Sequence, residues 1–210
     1  MQWIVLLTTC VNICSDLNNK SKIRERGQLY INQLCKWLNE TNLIIYVIES
    51  SSHGFIFKHF EEKYPDRLYI ISFNALKLYP QWGGSSSLLE GASIQYAMNK
   101  IMQKELQCTH ILKVTGRYFL PNIEHELASI KNNNVVLVQS HVNHARQWQN
   151  TEYYGMKKEL LKNFGKYSTQ HNKLMEHNFY DFVKSRKKQI LGPFPNDIPR
   201  GGDGLVINPL

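Results

Sequence analysis

Four residues at the end of one apolar segment could together bind an anion such as a phosphate. The segment His110–Val114 is apolar enough to predict a buried strand; it carries Lys113 and is followed by Thr115, Gly116 and Arg117. Arginine presents a fork of N–H donors that matches phosphate oxygens, and a threonine hydroxyl and backbone amides beside a glycine add more donors. The alternative is a simple turn in which Gly116 supplies a positive φ and Arg117 is exposed.

Ser87 and Glu90 form a second candidate group, for which two roles stay open. Ser followed three residues later by Glu is the pattern of a capping box, which satisfies the free amides at a helix start. The preceding loop, 83–87, holds two glycines and three serines, and it can bring the backbone close to a ligand. In that case Glu90 and Gly91 would lie at the ligand, and both roles can hold together.

Two arginines lie early in the helix that the sequence predicts over residues 22–39. A positive charge near a helix start opposes the helix dipole, so Arg24 and Arg26 need another explanation. Contact with a phosphate or a carboxylate is one explanation, and simple solvation is the other.

The histidines and cysteines do not have the spacing of a metal site. His141 and His144 lie in a predicted loop without the helical spacing and adjacent Glu of a zinc hydrolase, and Cys10 and Cys14 lack a C-x-x-C pair. The sequence therefore predicts no metal ligands among these residues, and free thiols in a reducing compartment.

The elements that position these residues alternate between apolar strands and amphipathic helices. Strands are predicted over 3–8, 43–48, 68–72, 110–114, 135–139 and 152–155, with helices over 22–39, 55–63, 88–106, 122–130, 157–164 and 173–187. This alternation predicts an α/β fold with a mostly parallel central sheet flanked by helices.

Length and charge limit the remaining possibilities. A chain of 210 residues predicts one domain, and its first apolar run is too short to span a membrane, so we expect a cytoplasmic protein. The formal charge of +8 suits anionic partners, but no basic stretch interleaved with aromatic residues indicates a nucleic-acid interface.

Four segments, taken in order, resemble a group of GT-A-type glycosyltransferases found in bacterial polysaccharide clusters and large DNA viruses. They are Leu6 to Asn12 with Arg24 to Arg26 and Tyr30, Val47 to Ser51, Ser87 to Gly91 with Tyr96 and Ala97, and Ile111 to Tyr118 with Pro121 and Asn122. The resemblance implies a Rossmann-like GT-A fold in which residues 1–122 bind a nucleotide sugar and 123–210 form the acceptor side.

The resemblance also implies roles for individual residues. Loops after the first two strands contact the base and ribose of the donor in this fold, which makes Thr8, Thr9 and Glu49 candidates. Most GT-A enzymes carry Asp-x-Asp after the strand that is 110–114 here, and this chain lacks it. Arg117 and Lys113 would then neutralise the leaving diphosphate, so a divalent metal such as Mn²⁺ or Mg²⁺ is not strictly required.

The predicted function is transfer of a sugar from a nucleoside-diphosphate sugar to a glycan or another hydroxyl acceptor. Glu176 is the first candidate for the catalytic base, because many GT-A enzymes carry an acidic pair at the start of a late helix, and Asp203 is the second. The alternatives are a catalytically inactive GT-A-like protein or a basic module that binds nucleotides or nucleic acid. A nucleotidyltransferase is less favoured, because residues 8–14 contain no glycine.

Overall fold

The computed structural model describes residues 1–13, 19–83, 85–104, 108–140, 142–171 and 173–192. Some residues discussed from the sequence lie outside these ranges: Cys14, Gly84, His141, Asp203 and the last two residues, 105 and 106, of the helix predicted over 88–106.

The apolar segments of the first half form the parallel strands that the sequence predicts. They are β1 (Trp3–Thr9), β2 (Ile44–Glu49), β3 (Leu68–Ser72) and β4 (His110–Thr115). Their runs of Ile, Leu and Val are apolar on both faces, as expected for strands covered by helices on both sides.

The strands of the second half make the sheet mixed. They are β5 (Val136–Val138), β6 (Val142–Asn143), β7 (Trp148–Gln149), β8 (Tyr153–Lys157) and β9 (Lys188–Ile190). Within the described ranges, seven strands form one sheet in the order β3-β2-β1-β4-β8-β5-β9, and β6 pairs with β7 in a separate hairpin. Only β8 runs antiparallel to its neighbours in this sheet, so the predicted α/β fold with a mostly parallel sheet is confirmed.

Helices connect and cover the strands. They are α1 (Lys20–Glu40), α2 (Lys58–Lys63), α3 (Ala75–Leu78), α4 (Ser86–Met102), α5 (Ile123–Ser129), α6 (Lys158–Gln170) and α7 (Met175–Val183), with 3-10 turns at Gly54–Phe57 and Pro80–Trp82. In the part of the chain that the structure describes, no helix combines the length and the apolar character needed to cross a membrane.

Side chains of successive strand residues point to opposite sides, which divides the core in two. Val5, Leu7 and Leu112 pack against α1 and α5, and we call this side of the sheet the α1 face. Ile4 and Ile111 pack against α4, α6 and α7, and we call this side the α4 face. A residue's position along β1 or β4 therefore determines which set of helices it meets.

Helix α1 is fixed by a buried stripe and by a cap at its first turn. Tyr30, Leu34, Trp37 and Leu38 recur at helical spacing and are buried on the α1 face. The Asn19 side chain accepts a hydrogen bond from Lys22 N at 3.1 Å, a cap that contributes about 1 kcal/mol. These contacts hold the polar first turns of α1 beside the ends of β1 and β4.

Helix α5 begins as predicted, but the side chain at its N-cap position does not cap it. Asn122 occupies the N-cap position with φ of 58°, in the left-handed region that Asn tolerates better than most residues, and its side chain makes no capping hydrogen bond. The start of the helix predicted over 122–130 is therefore right, although the Asn122 side chain adds no cap.

Candidate functional site

The strand order places a crevice between the carboxyl ends of β1 and β4. From β1 the chain proceeds to β2 and β3 on one side, and β4 returns to the other side of β1. Open α/β sheets bind ligands where the order reverses in this way. Thr8 pairs with Thr115 at this point, and Gly116 N donates a 2.8 Å hydrogen bond to Thr8 O, so the predicted residues after β1 and β4 are adjacent.

A cationic cavity opens beside this crevice on the α1 face. Its volume is about 230 Å³, and it is lined by Lys22, Glu25, Arg26, Leu29, Tyr30 and Arg117. Arg117 Nε is buried and has no hydrogen-bond partner among the described residues. Three cations against one carboxylate, with a buried donor left unpaired, favour an anionic ligand in this cavity.

Backbone contacts hold the cavity's side chains in place. Arg26 Nη1 donates to Val11 O at 3.1 Å, and the Tyr30 hydroxyl lies 3.4 Å from Cys10 O. Burial raises the pKa of the Tyr30 phenol, while Arg117 and Arg26 act in the opposite direction. Tyr30 is therefore neutral near pH 7 and offers a hydroxyl, not a negative charge, at the cavity wall.

Gly116 allows the close approach of β4 to β1. A methyl group built on Gly116 would overlap Thr9 Cγ2 and would lie 3.2 Å from Thr8 O and 3.3 Å from Tyr30 Cδ1. Among the glycines that the structure describes, only Gly192 has a positive φ, so Gly116 does not adopt the left-handed conformation. The chain does turn at Gly116 and Arg117, with Tyr118 N donating to Thr115 O at 2.9 Å, but the glycine is required by packing and not by a positive φ.

On the opposite α4 face, Lys113 is the centre of a polar cluster. Its side chain is fully buried, and Nζ lies 2.5 Å from Glu90 Oε1. Nζ also donates to Thr115 Oγ1 at 3.1 Å and to Thr151 O at 2.8 Å. The ammonium group therefore donates two hydrogen bonds to protein oxygens and forms an ion pair with Glu90. Lys113 is thus turned away from the cationic cavity and engaged by protein groups, not poised toward the diphosphate predicted from the sequence.

Glu176 lies at the edge of the same cluster. Thr151 Oγ1 is 3.5 Å from Glu176 Oε1, so Thr151 contacts Lys113 through its carbonyl and Glu176 through its hydroxyl. Burial raises the pKa of the Glu176 carboxyl, and the negative charges of Glu90 and Glu152 raise it further, against its own backbone N–H and Lys113. A half-buried carboxylate with a raised pKa is suited to accept a proton near neutral pH.

The predicted capping box at the start of α4 is wrong in detail. Ser85 is the N-cap, and its hydroxyl accepts a hydrogen bond from Leu88 N at 3.3 Å. Ser87 Oγ instead accepts from Met175 N at 3.1 Å, and Glu90 pairs with Lys113. The hydrogen bond between Ser87 and Met175 joins the starts of α4 and α7, which brings Glu90 and Glu176 to one site.

Glu49 connects the loops that follow β1 and β2 by hydrogen bonds. Its fully buried carboxylate accepts hydrogen bonds from Val11 N and Ser51 N at 3.1 Å and also from His53 N and Ser51 Oγ. The ribose hydroxyls that the resemblance assigns to Glu49 would have to compete with these partners. In this structure Glu49 holds the loops after β1 and β2 in register.

The other predicted ligand residues lie below the surface of the crevice. Thr9 Oγ1 donates to Ile48 O at 3.1 Å, and Thr8 is buried at the end of β1 on the α4 face. Gly91 packs between α4 and α6, where an added methyl group would overlap Ser168 Oγ. Gly91 therefore supports helix packing and does not face the crevice.

The structure gathers the predicted polar residues into two groups on opposite faces of one sheet edge. Arg26 and Arg117 meet on the α1 face, while Lys113, Thr115, Glu90 and Glu176 meet on the α4 face. The sequence analysis missed Lys22, Tyr30, Thr151 and Glu152 as members of these groups. A signal existed for the first two, because Lys22, Arg26 and Tyr30 follow each other at intervals of four on α1.

Solved structures share this architecture, although their sequences have diverged far from this chain. No protein-family model matches the sequence, and no curated protein matches it either. Mouse xyloside xylosyltransferase 1 is 9% identical, with a TM-score of 0.53 over 91% of this chain and 85% of that chain. The chain has a GT-A-like fold.

Two further structures extend the likeness. A 4-diphosphocytidyl-2C-methyl-D-erythritol synthase from Anaerococcus prevotii is 13% identical, with a TM-score of 0.53 over 90% of this chain and 86% of that chain. A putative nucleotide-diphospho-sugar transferase from Desulfovibrio desulfuricans is 8% identical, with a TM-score of 0.53 over 91% of this chain and 80% of that chain. At such identities the likeness concerns the fold, and activity has to be argued from the site.

Proposed function

We propose that the chain transfers a sugar from a nucleoside-diphosphate sugar to a hydroxyl group of a glycan or another acceptor. In this reaction a bond forms between the acceptor oxygen and the anomeric carbon of the sugar. The bond from that carbon to the diphosphate breaks, and the diphosphate leaves with the electron pair. The acceptor hydroxyl proton passes to a base on the protein.

The observation that carries this proposal is that positive and negative side chains lie on opposite faces of the sheet, both at the carboxyl ends of β1 and β4. Cations line the cavity on the α1 face, with Arg117 Nε unpaired, and carboxylates surround Glu176 on the α4 face. A diphosphate needs cations where its charge grows, and in an inverting transfer the acceptor hydroxyl needs a base on the other side of the reacting carbon. A donor lying across the edge between β1 and β4 would meet both requirements.

Each group then has a role in the proposed reaction. Arg117 and Arg26 bind the phosphates, and Arg117 stabilises the charge that grows on the leaving diphosphate. Glu176 accepts the proton from the acceptor, and Asp203, which lies outside the described residues, is the alternative base. Because cations supply the charge, we propose that transfer does not strictly require a divalent metal.

A second candidate is nucleotidyl transfer, because the synthase from Anaerococcus prevotii shares the fold. That reaction would join a nucleoside triphosphate to a sugar phosphate and release pyrophosphate. The proposed base distinguishes the two reactions, since a phosphate nucleophile is already ionised and needs no carboxylate to deprotonate it. The position of Glu176 therefore favours sugar transfer.

A binding panel tests the proposal against its alternatives. Unfolding temperature is measured with UDP-, GDP-, CMP- and dTDP-sugars, with CTP plus sugar 1-phosphates, and with single-stranded DNA as the nucleic-acid arm. We expect stabilisation by one class of nucleotide sugar and, on adding acceptor sugars, release of its nucleoside diphosphate, whereas release of CMP from a CMP-sugar would contradict a nucleoside-diphosphate donor. Pyrophosphate release from the triphosphate arm would establish nucleotidyl transfer, and stabilisation by DNA alone would overturn the enzyme proposal.

The base is tested by a pair of isosteric substitutions. A positioned base contributes a hundredfold or more, so Glu176→Gln should retain about 1% or less of wild-type turnover. Asp203→Asn is the matched substitution at the alternative position. If Glu176→Gln keeps more than about a tenth of turnover while Asp203→Asn loses it, the base is Asp203.

A further inference from the structure

Lys113 is a charged side chain with no exposure, and its burial has to be explained. Removing an ammonium group from water costs several kcal/mol unless good partners replace the water. Here Glu90, Thr115 and Thr151 supply those partners, and Nζ lies 5.3 Å from the centre of the Tyr154 ring. Because Lys113 is fully buried and held by two hydrogen bonds and an ion pair, it acts on its surroundings through these residues and does not touch a ligand directly.

The groups around Lys113 are also the groups that face Glu176. Glu90 reaches the site from α4, Lys113 from β4, and Glu152 from the residue before β8. Thr151 connects them, because its carbonyl accepts from Lys113 and its hydroxyl contacts Glu176. Three carboxyl groups share this site with one ammonium group, so the charge of Lys113 determines how much repulsion an ionised Glu176 meets.

We propose that Lys113 is a positioning residue that fixes Glu90 and Thr151 around Glu176 and offsets the charge of Glu90, so that Glu176 can accept a proton. Its role as a partner of the base rests on the proposed function. The coupling between Lys113, Glu90 and Glu176 does not, because it depends on contacts within the folded chain alone.

Measuring the ionisation of Glu176 directly tests this coupling. The carboxyl carbons of glutamate are labelled with carbon-13, and the Glu176 signal is assigned by its loss in Glu176→Gln. The pKa of Glu176 is then followed by NMR in the wild type, Lys113→Met, Glu90→Gln and the double variant. Lys162→Met removes the same charge from an exposed position on α6 and is the matched control.

The proposal makes a signed expectation for each variant. Removing the ammonium should raise the pKa of Glu176 by about one pH unit or more, and removing the Glu90 charge should lower it. The double variant should return close to the wild-type value, and Lys162→Met should leave it unchanged because solvent and salt screen a distant exposed charge. If Lys113→Met does not fold, the lower pKa expected in Glu90→Gln still tests the proposal.

The same variants separate a positioning role from a purely structural one. A positioning role moves the acid limb of the pH profile of kcat together with the pKa of Glu176. A structural role lowers kcat equally at all pH values, without rescue in the double variant, and would overturn the proposal, as would an unchanged Glu176 pKa. If no transfer is detected with any nucleotide sugar, the proposed function fails, while the NMR titration still decides the coupling.

Discussion

Replacing Arg117 with alanine should remove donor binding and transfer while leaving the fold intact. The cavity would lose the guanidinium group with an unpaired, buried Nε. Loss of such a charged contact in a partly dry crevice costs about 2–4 kcal/mol, which is about a thirtyfold to thousandfold loss in rate. Arg117→Lys should restore activity only in part, because the ammonium lacks the fork.

The effect of Arg117→Ala on stability should be much smaller. The variant loses the stacking of the guanidinium, whose Cζ lies 5.5 Å from the centre of the Tyr118 ring, worth about 0.5–1 kcal/mol. It also removes a buried donor without a partner, whose desolvation costs about 1–3 kcal/mol. These terms oppose each other, so the ligand-free protein should lose no more than about 2–4 °C in unfolding temperature.

The assay compares both quantities in one experiment. Thermal unfolding is recorded with and without the nucleotide sugar that stabilises the wild type most, and initial rates of nucleoside diphosphate release are measured in parallel. Arg24→Ala is the control, since it removes the same charge from an exposed position on α1 outside the cavity. Donor affinity in Arg117→Ala within about threefold of the wild type would refute the assignment.

Three further predictions follow from the packing and charges of the site. Gly116→Ala should lower the unfolding free energy measured in urea by about 1–3 kcal/mol, since its methyl group would overlap Thr9. Gly27→Ala is the control and should not lower it, because its methyl group would lie 3.5 Å from the nearest side chain. Folding raises the pKa of the Glu176 carboxyl above its ordinary 4.5, so the folded state binds the carboxyl proton more tightly than the unfolded state does. The folded state therefore loses stability as pH rises above about 4.5. Urea unfolding should therefore show Glu176→Gln gaining stability relative to the wild type as pH rises above about 4.5. Transfer activity should survive EDTA, and its loss with recovery on adding Mn²⁺ would contradict the metal-independent mechanism.

The sequence predicts the strands that are long and continuously apolar. Strands β1, β2 and β4 each carry several consecutive buried apolar residues, and β3 is a run of four apolar residues that are at least partly buried, so the apolar pattern alone locates all four within one or two residues. Strands β6 and β7 have two residues each, which is too few to show an alternation of apolar and polar residues. Lys188–Ile190 extends a basic stretch that favours a helix end, and its pairing with β5 depends on distant residues.

The sequence predicts which residues belong to the site, but it does not predict which of them contact each other. The type and position of Arg117 and Glu176 indicate chemistry, whereas the partner of Lys113 depends on how α4 packs over β4. Strand alternation does carry part of the answer, since Lys113 has the parity of Ile111 and must share its face. The sequence does not give the distance between Glu90 and the α4 face of the sheet, because that distance depends on how the helices pack.

The carboxylate of Glu49 has a consequence for how a ligand would enter the crevice. By holding Val11, Ser51 and His53 through their backbone amides, it fixes the loops after β1 and β2 before anything binds. Ordering a loop residue costs about 1–2 kcal/mol in backbone entropy, and here folding has already met that cost. A ligand arriving at this edge meets a preorganised wall, so its association should proceed as a simple second-order reaction without a slow loop-closing phase.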